Sequence, residues 1–153
     1  MAFVVTAADL YAHGAPESYF SDVDAGNISK AVAKALGECS RKLAPRVGGP
    51  ASSWTFTDSA GREDCAGDVA IVAASALALA FGLTLPGEGA DPQYAKRAAA
   101  AQGLWSRMGT PGDKDPSKAE PLYSGLVDAT PNVSEGSARG WSTPLPNPSG
   151  VEA

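Results

Sequence analysis

One histidine, His13, and two cysteines, Cys39 and Cys65, are all the imidazole and thiol that 153 residues supply. Zinc centres draw on clusters of these side chains, and neither cysteine belongs to a CxxC, so no metal site is expected. Two cysteines are also too few for a disulfide framework in a chain of this length. Both fall inside predicted helices and read as small core residues. Long apolar runs are scarce. Only Val69 to Phe81 approaches the roughly 17-residue minimum for a membrane span; it is largely alanine, Ser75 interrupts it and Asp68 abuts it. It reads as a buried helix, and no membrane contact is expected. Positive charge is short as well: the net charge is −5, which argues against a nucleic-acid-binding face and leaves DNA only a smooth, repelling wall. The opening Met1-Ala2-Phe3-Val4-Val5 has no basic region before an apolar stretch, so no signal peptide is expected and the product should reside in the cytoplasm where it is made.

Catalytic and nucleotide signatures are missing. There is no GxSxG, no GxGxxG and no GxxxxGK[ST], and His13 beside Gly14 has no triad context. No catalytic residue, cofactor or enzymatic activity is expected. Asp22-x-Asp24-x-Gly26-Asn27 has a passing likeness to a calcium loop, but glycine stands where a third ligand belongs, Asn27 takes the place of the turn glycine, and Ala33 occupies the twelfth position. The stretch reads as a helix-entry turn. Arg62-Glu63-Asp64 likewise reads as a solvated acidic helix start.

What the chain does have is helical periodicity, and the fold expected is all-α: a bundle of about four helices with a short extended loop and a long C-terminal arm. Thr6 can cap a short first helix, with Asp9 as capping-box partner, and Gly14 and Pro16 end it. After a turn-rich connection over residues 18–25, a second helix is expected from about Asn27. Its stripe of Ile28, Val32, Ala35, Leu36, Cys39 and Leu43 faces a core, and Pro45, Gly48, Gly49 and Pro50 stop it. Trp54-Thr55-Phe56-Thr57 alternates at period two and reads as a short edge strand or tucked loop, followed by turn residues 58–61. A third helix from about Asp64 to Phe81 has Val69, Ile71, Val72, Leu77, Leu79 and Phe81 almost all round it, and should be the central one. Asp91-Pro92 signals the start of a fourth, through Tyr94, Ala98, Ala101, Leu104, Trp105 and Met108. Trp54 and Trp105 read as core or subunit-interface residues.

The body therefore spans residues 1–108, and residues 109–153 form a second kind of segment. Pro111, Pro116, Pro121, Pro131, Pro144, Pro146 and Pro148 disfavour helix and central strand there. Yet Leu122, Tyr123, Leu126, Val127, Trp141 and Leu145 are spaced along it, which an inert linker would not need. The pattern predicts an arm that orders on a partner, these six residues being its anchors.

The Thr6-Ala7-Ala8-Asp9-Leu10 opening helix, Asp22-Val23-Asp24 before Ile28, the helix from Ala31 to Arg41-Lys42-Leu43, and the helices Asp64 to Phe81 and Tyr94 to Trp105 follow one another in an order that resembles the head-tail connector (adaptor) proteins of tailed bacteriophages and related gene transfer particles. The resemblance covers roughly residues 6–108. It implies a structural virion subunit at the head-tail interface, assembled in the host cytoplasm, with twelve copies expected in a ring beneath the portal protein. Such a ring would contact neighbouring copies and a downstream tail or stopper protein, and would extend the channel through which genome DNA passes unbound. It also implies docking on the portal through the C-terminal segment, which here is longer and richer in proline than a compact helical ending. The reading that stands without the resemblance is a non-enzymatic soluble helical binding module with a disordered tail.

Overall fold

The computed structural model describes residues 3–86, 93–110 and 119–127, and within them the chain is a helical bundle. α1 (Ala7–Asp9) opens with the expected cap: the Thr6 N–H donates to Asp9 Oδ2 at 2.8 Å. It continues as a π-turn over Leu10–Gly14, and a 3₁₀ turn, Glu17–Phe20, follows. α2 spans Ala25–Val47 and α3 spans Ser59–Phe81, with a 3₁₀ turn at Ala51–Ser53 between them. α4 runs over Gln93–Met108. Its expected Asp91-Pro92 start lies outside the described residues.

Two helix starts differ from expectation for one physical reason. Asp24, not Asn27, caps α2 by accepting from the Gly26 N–H, and Asp58, not a residue near Asp64, caps α3 by accepting from the Ala60 N–H. Short polar side chains that favour turns are the same ones that cap helices, so Asp58-Ser59-Ala60-Gly61 reads as turn chemistry although it is the first turn of α3. Pro45 does not stop α2; it sits inside the last turn, and the Gly48 N–H closes the helix on the Ala44 carbonyl.

α3 is the central helix. Ten of its residues, from Gly61 to Leu77, are buried against the π-turn, α2 and α4. Although α3 is long and apolar enough to cross a membrane, half of its most apolar stretch is covered by the rest of the body. Its alanines let the neighbours come close, and of the predicted α2 stripe Ile28, Val32, Ala35, Cys39 and Leu43 are buried while Leu36 is only partly covered. The expectation of burial all round fails at the C-terminal end: Leu79 is 88 % exposed and Phe81 45 %. Trp54 and Trp105 are both core residues. Around Trp54 the chain forms a tucked loop, with Phe3 stacked on its ring and tilted against Phe56. No strand forms among the described residues; a lone antiparallel bridge joins Phe56 to Leu126.

Candidate functional site

The bridge to Leu126 marks where the structure departs most from the two-part division of the chain. Residues 119–127 lie beyond the expected boundary at Gly109, yet they pack on the body. Tyr123 to Leu126 make a tight turn in which the Leu126 N–H donates to the Tyr123 carbonyl, and Gly125 takes φ +79°. That value suits the third position of a type II turn, which glycine occupies without penalty. The Thr57 N–H then donates to the Gly125 carbonyl at 3.0 Å, and the Ser124 hydroxyl donates to Asp58, the cap of α3. One aspartate thus starts a helix and holds the returning chain.

Tyr123 is the centre of the latch. Its ring is buried, its hydroxyl accepts from Trp105 Nε1 at 2.8 Å, and it donates to Asp68 Oδ2. Burial pushes the Tyr123 phenol far up, so it stays protonated and remains a donor. Burial also raises Asp68, an effect its hydrogen bond from Tyr123 offsets only in part. At the segment's start, Arg46 donates to the carbonyls of Met108 and Glu120, and Arg107 pairs with Glu120 at 3.1 Å. Of the six expected partner anchors, Tyr123 and Leu126 are buried in the chain's own core, Leu122 packs partly against it, and Val127 is 55 % exposed. Trp105 and Asp68 offer Tyr123 the polar partners that a buried phenol needs, and an antiparallel bridge joins Leu126 to Phe56. Trp141 and Leu145 lie outside the described residues.

A second feature sits at the other end of α3. A groove of about 570 Å³ runs between α2, α3 and α4, with Ala31, Ala76 and Ala95 on its walls, Leu79 and Phe81 at its mouth, and Lys30 and Lys34 along one rim. Burial alone would raise Glu38 at its edge, but hydrogen bonds from Lys42 and Gln102 outweigh that and hold it below the usual carboxylate range.

The cysteines, His13 and Asp24 have structural partners. Cys39 and Cys65 are buried free thiols facing each other between α2 and α3. Their mutual hydrogen bond and burial push Cys65 well above the ordinary thiol range, so it is no thiolate nucleophile. His13 Nε2 lies 3.0 Å from Glu63 Oε1. Asp24 is occupied as a cap, and among the described residues no group of three His, Cys, Asp or Glu side chains could hold a metal ion. No protein-family model matches the chain, and neither a curated protein nor a solved structure matches it.

Proposed function

We propose that this chain is a non-enzymatic structural subunit of a phage-type virion, a head-tail connector that forms a ring beneath the portal protein and continues the DNA channel toward the tail or stopper protein. The observation that carries this reading is the uncovered apolar end of α3. Leu79 and Phe81 stand in solvent beside an alanine-walled groove, on a body whose other large side chains are mostly enclosed. Exposed apolar surface of this kind marks a contact with another macromolecule. The order of helices, which resembles the connector family, supplies the kind of assembly. The net charge of −5 fits a channel wall repeated around a ring, to which DNA does not adhere. Val127, which is exposed, and Trp141 and Leu145, which lie outside the described residues, are the anchors proposed for the portal or a neighbour.

The alternative, a soluble helical binding module, is favoured by one observation: the Trp105–Tyr123–Asp68 latch is complete within a single chain, so the body needs no neighbour to satisfy it. Sedimentation velocity of the full chain, alone and with a phage portal protein, separates the two. A ring-sized complex with portal supports the connector; a chain that sediments as a monomer in both samples supports the module.

A further inference from the structure

The latch and the groove lie at opposite ends of α3. Ser124 packs on Gly61 and Leu79 stands at the groove, a separation of about 27 Å at the helical rise per residue. The described residues end at Val127, and Trp141 follows 14 residues later in sequence. That length reaches at most about 46–50 Å when extended, ample to cross to an adjacent molecule. Residues 128–153 carry Asp128, Glu135 and Glu152 against the one cation Arg139, while the groove's rim carries Lys30 and Lys34, exposed and without an ion pair among the described residues. Trp141–Leu145 itself is uncharged, and its tryptophan and leucine, four residues apart, match the apolar floor of the groove, while the carboxylates farther along residues 128–153, which are net acidic, suit Lys30 and Lys34.

Building on the ring reading, we infer that the groove between α2, α3 and α4 receives the Trp141–Leu145 segment of a second copy of this chain. An arm that starts at one end of a body and seats at the other end of its neighbour makes a head-to-tail contact. Repeated, such a contact closes into a ring when its rotation allows. Leu79 and Phe81 are thereby covered, and each copy gives one arm and takes one.

The test uses two variants of the full chain, Trp141→Ala and Leu79→Asp, the latter at a position 88 % exposed. Light scattering on a size-exclusion column across a concentration series should show the parent associating and each variant about 30-fold weaker. A mixture of the two is decisive. The Leu79→Asp copy keeps an intact arm and the Trp141→Ala copy an intact groove, so the mixture should yield one-to-one dimers that neither forms alone. A parent that is monomeric throughout, variants that associate like the parent, or a mixture that stays monomeric each overturn the arm exchange. A monomeric parent whose two variants nevertheless dimerise when mixed is the result of an arm folded onto its own groove. Portal binding is scored separately: arm exchange without portal binding would remove only the connector role, and portal binding without exchange only this inference.

Discussion

The Tyr123 hydroxyl donates to the Asp68 carboxylate across 55 positions of sequence, and this bond joins the returning chain to the central helix. With Trp105 donating to the same oxygen, the three side chains make residues 119–127 part of the body.

Truncation after Met108 should therefore destabilise the body, whereas truncation after Val127 should leave it intact. The shorter chain loses the buried Tyr123 and Leu126, each contributing about 1.5–3 kcal/mol, out of a stability of about 5–15 kcal/mol typical of a domain. It also leaves the Trp105 N–H without its acceptor. Urea melts of the two truncated chains beside the parent check this; equal midpoints for all three would contradict the latch.

Gly61→Ala tests the same contact from the other side. A Cβ at Gly61 would stand 1.7 Å from the Ser124 carbonyl oxygen, where backbone must move. The expected cost is about 1–3 kcal/mol, with new amide exchange at residues 123–126. Thermal melting and hydrogen exchange read the two effects.

The two carboxylates of the latch should respond to pH with opposite signs. Burial holds Asp68 above its ordinary value near 4, so the stability it contributes is complete below that value and is lost as pH rises through the raised one. The Ser124 hydroxyl and the Ala60 N–H hold Asp58 below its ordinary value, so its contribution is present above about 4 and is lost as pH falls through the lowered one. Asp68→Asn should gain on the parent as pH rises, and Asp58→Asn should converge with the parent in acid. Melting temperature against pH for the three proteins checks both slopes.

Leu79 and Ile71 share a helix but not an environment. Ile71→Asp, at a position 5 % exposed, should unfold the body, because a buried unpaired carboxylate costs several kcal/mol. Leu79→Asp should change stability by no more than about 0.5 kcal/mol. Circular dichroism melts distinguish them.

How far these features could be read from sequence depends on distance along the chain. The α2 stripe and the central place of α3 are local periodicities, and both appear where the spacing puts them. The exposed end of α3 was not legible, since Leu79 and Phe81 are as apolar as Ile71 and only the reach of the neighbouring helices decides which are covered. The latch was hidden for a different reason: Asp68, Trp105 and Tyr123 come from three separated segments, and the prolines and glycines around Tyr123 suggested an unfolded arm. A clue lay in Tyr123-Ser124-Gly125-Leu126, where serine and glycine flanked by large apolar residues form a turn.

The central claim is assembly at the head-tail interface, and co-sedimentation of the full chain with portal-containing heads that lack neck proteins tests it most directly. The account expects the chain to pellet with the heads in saturating amounts near twelve copies per portal, and to stay in the supernatant with heads that lack portal. A chain that remains in the supernatant with both, or that pellets equally with both, would contradict it.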